Sequence, residues 1–307
     1  MGHTERSIVV VMADRYRSPD MGRRPNPRRS SASPLQALQI VTVPPAPPPA
    51  ADPEPRRAWR VAVLLLGILI PQLVLIGPAL VGRTLLLPLD ILADRTFYLP
   101  RATPGGPTPI PKEGTLGDLV VQSEVHRRLV VDEVRAGRLP LWNPYDYCGH
   151  PLLAANHTQV FSPYRLLDYA VPSPVAVAWS ALLRSAVIAV GSYLFLRRAV
   201  GLGWLAAAGG AWCVPLTGTM ILSLGYAGSA VVSFLPWVFL AADRCAVRPG
   251  GRSAAALAAA VAFTLLAGHA AFAGHVLLAG GAYFVWRHVR HLGPRAAVGR
   301  PGRPGLA

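Results

Sequence analysis

The chain has 307 residues, of which 52% are hydrophobic and only 15% charged, with a mean hydropathy of +0.38. A soluble domain runs nearer a quarter charged, so the composition argues against an ordinary soluble globular protein. The formal charge of +15 lies beside apolar runs rather than along a polar face, which argues against nucleic acid as a partner and follows the positive-inside pattern of membrane proteins.

Residues 1–58 are rich in Pro, Arg and Ala (RRPNPRRSSASP, VPPAPPPAADPEPRR) and hold 10 basic and 5 acidic side chains up to Arg60. Too little apolar surface is present to offset ordering entropy, so a disordered cytoplasmic tail is predicted, without a signal-peptide layout. Met12 and Met21 are alternative starts. The run 61–82, VAVLLLGILIPQLVLIGPALVG, is long enough at ~1.5 Å per residue to cover the ~30 Å of hydrocarbon. Pro71 and Pro78 are expected to kink it, and Arg56, Arg57 and Arg60 place its N-terminal side in the cytoplasm.

Residues 83–174 form a polar insert, and 83–168 hold 9 basic and 9 acidic residues. Zero net charge fits a large extracytoplasmic loop. Asp90 and Asp94 stand where the first span emerges. Each reads either as an interfacial acid near Arg95 or as a general base or cation ligand at headgroup level. TLGDLVVQSEVHRRLVVDEVRAG reads as a helix, with Thr115 as N-cap, Gly137 as stop and Pro140 beyond it. Asp118 is then either a capping-box carboxylate or a functional acid, and Glu124 to Arg128 is an i,i+4 pair on the wet face.

His126, His150 and His157 match no metal-ligand spacing, so no metal site is predicted. The three cysteines lack a CxxC and indicate neither zinc nor disulfides. Trp142, Tyr145, Tyr147, Phe161, Tyr164 and Tyr169 suit an interfacial aromatic belt, or stacking on sugar rings. Asn156-His157-Thr158 fits a glycosylation acceptor pattern.

Further spans are predicted at 175–196, 204–222, 226–242, 254–267 and 270–286. Basic clusters at Arg197-Arg198, at Arg244, Arg248 and Arg252, and at Arg287, Arg290 and Arg295 follow alternate spans. That alternation gives six spans with both termini cytoplasmic and short outward links at 223–225 and 268–269. The fold class expected is an all-α polytopic membrane protein of about six transmembrane helices. Its membrane domain covers 59–286, its large first extracytoplasmic loop contains a helix, and its termini, including the basic Gly/Pro-rich tail 287–307, are disordered. Arg184 lies within the second span, where a cation costs roughly 2.5–3.5 kcal/mol on insertion scales, so it requires a partner. A lipid phosphate or an internal hydrogen bond would serve; His269 and His275 pose the same choice.

The order of one span, an outer loop with early Asp, GDLVVQ, then RAGRLPLWNPYDYCGHPLLAANHTQVFSPYRLL, SYLFLRRAVGL, FLPWVFLAADR and LLAGHAAFAGHVLLAGGAYFV resembles the N-terminal part of the YfhO-like bacterial multi-pass membrane proteins. That family is similar to the GT-C glycosyltransferases, and the likeness covers roughly residues 60–290. The resemblance implies a bacterial cell-membrane enzyme that transfers sugar from a polyprenyl-phosphate donor to a cell-envelope acceptor on the outer face. It implies Asp118 and Asp90 as base or metal-linked candidates, with a divalent cation as a candidate cofactor. Arg184 and His269 would lie near the lipid phosphate. Trp142, Asn143, Tyr145 and Asn156, with Gly149 and Pro151, match the loop signature and are the candidates for contact with sugar. The chain departs from the family at Ser123-Glu124-Val125-His126 and at Arg184, and its Gly/Pro/Arg tail leads to the expectation of a truncated N-terminal piece. The alternative is a non-catalytic membrane module whose outer loop binds a glycan or protein partner. A transporter finds support only in Arg184 and the Pro-containing first span.

Overall fold

The computed structural model describes residues 57–93, 116–171 and 173–297. The predicted tail 1–58 falls outside that range up to residue 56, as do Thr115, Asp94 and Arg95. The predicted disordered tail 287–307 is corrected in its first part: the helix that begins at Ala270 runs on to Ala297, because 287–292 hold neither Gly nor Pro, and residues 298–307 lie outside the described range.

Helix α1 (Arg57–Leu80) continues through Pro71 and Pro78, which apolar membrane-type helices tolerate better than soluble ones. Its face of Leu65, Leu66, Ile70, Leu73 and Val74 is exposed. Such a stripe is unfavourable in water and natural against lipid. A 3-10 turn, Leu89–Ala93, follows. After the undescribed stretch, a π-helical turn (Leu119–Glu124) runs into α2 (Val125–Arg135). Gly137, at φ 72°, ends that helix as predicted.

A two-residue ladder pairs β1 (Trp142–Asn143) with β2 (His150–Pro151), antiparallel. A short 3-10 turn, Asn156–Thr158, leads to α3 (Arg165–Ala170). The remaining helices are α4 (Ser173–Phe195), α5 (Trp204–Cys213), α6 (Gly218–Leu222), α7 (Ala227–Val232), α8 (Leu235–Val247), α9 (Gly251–Leu266) and α10 (Ala270–Ala297).

The chain is therefore mostly helical. Four described stretches are long and apolar enough to cross a membrane: Ala58–Leu80, Val175–Val200, Trp204–Leu222 and Ala227–Val247. The fifth and sixth predicted spans fall on α9, which is apolar but shorter, and on α10, whose apolar half is diluted by His275, glycines and Arg287.

Helices α4 and α8 form the centre. Small residues let neighbours approach closely there, as Ala189, Ala208 and Ala211 do against Leu64 and Ile68. Gly191 serves the same end: a Cβ on it would lie 2.5 Å from the Trp237 indole, whose N–H donates to Val187 O at 3.0 Å.

The segment between α1 and α4 sits on one end of these helices. A Cβ on Gly225 would lie 3.2 Å from Leu119, and one on Gly268 would lie 2.8 Å from Asn156 O. The links at 223–225 and 268–269 thus share an end with the loop, as the charge alternation predicts. The opposite end carries the basic groups: Arg60 stacks over Trp204, and Arg287 donates to Asp243 at 2.7 Å.

Two expectations are corrected by the loop's packing. Tyr164 is no interfacial belt residue; it is buried against Phe234, with its hydroxyl bonded to Ser233 Oγ. Tyr169 is half-buried and donates to Val160 O. Glu124 does pair with Arg128, at 2.7 Å, but Glu124 is buried rather than on the wet face.

The β-turn has one strict requirement. Gly149 has φ 105°, and a Cβ there would lie 2.6 Å from the Trp142 ring. Gly149→Ala is expected to cost roughly 1–3 kcal/mol of local stability, read as faster hydrogen exchange across residues 142–151 with helices α4 and α8 unchanged.

Candidate functional site

The loop layer builds three adjoining polar features. The first is a histidine–carboxylate cluster. His126 sits in the first turn of α2, Asp146 and His150 bracket the turn between β1 and β2, and His157 lies on the 3-10 turn after it. His126 Nε2 is 2.8 Å from Asp146 Oδ2, and its Nδ1 is 2.9 Å from His157 Nε2. With Asp146 ionised, Nε2–H donates to it, and Nδ1 then accepts from His157.

Asn143 is 1% exposed. Its Nδ2 donates to Asp146 Oδ2 at 2.8 Å, while its Oδ1 accepts from Tyr145 N at 2.9 Å. That is an Asx turn that also aims the carboxylate. The His126 bond holds the Asp146 carboxyl below the usual range. Burial, then the neighbouring imidazoles, push His157 down and favour its neutral form.

The second feature is a buried ion network. Arg127 grips Glu124 with Nε and Nη2 at 2.7 and 2.8 Å and reaches Asp168 with Nη1 at 3.1 Å. Arg165 donates to Asp168 at 2.7 Å and to Thr158 O at 2.9 Å. Burial pushes Glu124 up, but the bonds from Arg127 and Arg128 outweigh it and hold the carboxyl below its usual range.

Below this network, Arg184 donates to Leu224 O, Tyr226 O, Ser229 Oγ and Gln159 Oε1 at 2.9–3.4 Å and lies over the Tyr164 ring. The partner it requires is therefore internal: its donors tie the loop to the α6–α7 link. A cavity of about 40 Å³ between Arg127, Arg165 and Arg184 has room for a water or two.

The third feature is a groove of about 420 Å³ lined by Leu116, Leu222, Tyr226, Gly228, His269 and Phe272. Asp118 is exposed beside it and shares a hydrogen bond with the Tyr226 hydroxyl. It makes no side-chain cap bond to the turn it opens, and Thr115, its partner in the capping-box reading, lies outside the described residues. His269 caps α10, its Nδ1 accepting from Phe272 N at 3.5 Å, with its ring edge-on to Phe272. Asp90 is half-buried on the 3-10 turn, whose Ile91 packs onto Gly117; a Cβ on that glycine would lie 2.7 Å away.

The structure thus brings Asp118 and His269 to one groove, with Asp90 on the adjoining turn and Asn156 O beside Gly268. It sets Trp142, Asn143 and Tyr145 apart, on the β-turn with the histidines. His275 bonds back to Ala271 O and is exposed. Among the described residues, one group of three could share a metal ion, His126, Asp146 and His150, and neither Asp118 nor Asp90 belongs to it. Sequence spacing hid the histidine cluster because three separate elements supply it. No family model matches the chain, and no curated protein or solved structure matches it either.

Proposed function

We propose that the chain is a GT-C-like glycosyltransferase of a bacterial cell membrane, with six spans and both termini cytoplasmic. It transfers sugar from a polyprenyl-phosphate donor to a cell-envelope acceptor at the outer face. The observation that carries this reading is the groove where the loop meets the helices, with an exposed Asp118 and His269 beside it.

The acceptor hydroxyl enters at Asp118, whose carboxylate takes its proton as the oxygen attacks the sugar's anomeric carbon. The bond from that carbon to the phosphate oxygen breaks, and its electron pair leaves with the lipid phosphate. His269, whose Nδ1 accepts from Phe272 N, would offer its Nε2–H to that departing charge, while the apolar lining at Leu222 and Phe272 suits a prenyl chain. Asp118→Asn is the test, with transfer of radiolabelled sugar from a polyprenyl-phosphate donor as the readout.

Sidedness has its own check. Cys148 is exposed and free, while Cys245 lies on α8 near the basic end. A membrane-impermeant maleimide on intact cells is expected to label Cys148 and leave Cys245 unlabelled until the cells are opened. Labelling of Cys245 alone would invert the topology.

The second reading, a non-catalytic module that binds a glycan or protein, is favoured by one feature. Trp142, Tyr145 and Tyr147 are exposed together on the β-turn, Tyr147 by 91%. Retention of the protein on glycan with no turnover would support it.

A further inference from the structure

We propose that His126, Asp146 and His150 form a three-ligand site for a divalent transition-metal ion, zinc in the first instance. It lies where the β-turn meets the first turn of α2, apart from the groove, and does not depend on the transferase reading. Each of the three residues offers one ligand atom, and these atoms all lie within 4.8 Å of one another. Tetrahedral zinc at ~2.0–2.1 Å from each ligand sets its ligands about 3.3 Å apart. The His126–Asp146 pair, at 2.8 Å, would open slightly and the wider separations would close. Asp146, with its side chain 40% exposed, is free to make that adjustment.

Four further observations point to a cation. His150 Nδ1 is buried and has no hydrogen-bond partner, so an imidazole nitrogen at the cluster is left unsatisfied. The other two ligands are oriented from behind, as metal ligands commonly are: His157 bonds to the far nitrogen of His126, and Asn143 donates to Asp146. The turn that brings Asp146 and His150 together is strained, with positive φ at Tyr147 (54°), Cys148 (60°) and Gly149 (105°). Two of these are not glycine, and such strain persists where surrounding structure enforces it.

Finally, the three imidazoles of His126, His150 and His157 crowd together with ring centroids 5.1 and 5.8 Å apart around a single carboxylate. A divalent ion satisfies those nitrogens without charging the rings. Two imidazoles and one carboxylate favour zinc, copper or nickel over magnesium or calcium. On binding, the cation takes the place of the proton between His126 Nε2 and Asp146; the ring stays neutral by carrying that proton on Nδ1 instead, which then donates to His157 Nε2, His157 keeping its own proton on Nδ1. Three protein ligands would leave a fourth position for water or an anionic group.

The test uses the full chain, purified in detergent with its affinity tag removed and stripped with a chelator, then titrated calorimetrically with zinc chloride. One zinc per chain at micromolar affinity or tighter is expected, with no saturable uptake of magnesium. His150→Ala and Asp146→Asn should each weaken zinc by more than about 100-fold. His157→Ala, acting through His126, should weaken it by about 10–100-fold. His275→Ala, on an exposed ring outside the cluster, should leave binding unchanged. Because His150 is only half-buried, its variant keeps the test clear of misfolding, checked by an unchanged melting temperature without zinc. Absence of saturable zinc uptake by the parent chain overturns the proposal. So does His150→Ala binding zinc as tightly as the parent, which would assign the metal to other histidines.

Discussion

Asp118→Asn is expected to lower sugar transfer by roughly two to four orders of magnitude, while the melting temperature in detergent and the binding of a polyprenyl-phosphate lipid stay within error of the parent. The asymmetry follows from where the side chain sits. Asp118 is exposed, makes no side-chain cap bond to the turn it opens, and is joined through its carboxylate to the Tyr226 hydroxyl. Asparagine keeps an acceptor for that hydroxyl and removes only the ability to take a proton. A structural role would show instead as lost stability with proportionate loss of activity.

The companion variant Asp90→Asn separates the two candidate acids. Asp90 sits half-buried on a short turn, on the other side of the Ile91–Gly117 contact, and is expected to change transfer by less than about tenfold, well short of a lost general base. Equal collapse in both variants would point to a shared carboxylate site and to cation chemistry at the groove. Full activity in Asp118→Asn would sink the transferase mechanism and bring forward the binding-module reading.

The long helices were readable because hydropathy over about 20 residues is a summed property that tolerates local error. The loop's position was readable for a similar reason: basic clusters recur after alternate spans, and the short links at 223–225 and 268–269 do lie under the loop. Individual faces inside the loop were not. Glu124 and Arg128 obey an i,i+4 pattern, yet the π-helical turn Leu119–Glu124 is wider than an α-turn and shifts the phase of the residues in and beyond it. Glu124 is therefore turned inward onto Arg127, whose other arm reaches Asp168, while Arg128 stays exposed. The histidine cluster escaped because His126, Asp146, His150 and His157 converge only through a two-residue β-ladder, a feature too short to leave a periodic signal. Tyr164 shows the opposite failure: an aromatic beside an apolar run fits an interface equally well as a core, and only its contact with Phe234 decides.

Arg127→Ala is expected to have the largest effect on stability, about 3–5 kcal/mol, because it strips a buried cation from two carboxylates at once. Glu124 loses a two-pronged grip at 2.7 and 2.8 Å, and Asp168 loses one of its two arginine donors. These bonds join α2 to α3, so the loss should appear as hydrogen exchange accelerated through Val125–Arg135 and Arg165–Ala170 ahead of α4 and α8. Arg127→Lys should recover only part, since an ammonium cannot reproduce the fork that meets both Glu124 oxygens. The paired variant Glu124→Leu with Arg127→Met should recover most of it, because exchanging a buried ion pair for apolar groups of similar size is often neutral or better. Asp168 would keep Arg165 at 2.7 Å in that background. If the paired variant proved no more stable than Arg127→Ala, the network's contribution would lie in tying three elements together through Asp168, and the Glu124 pair would be incidental to it.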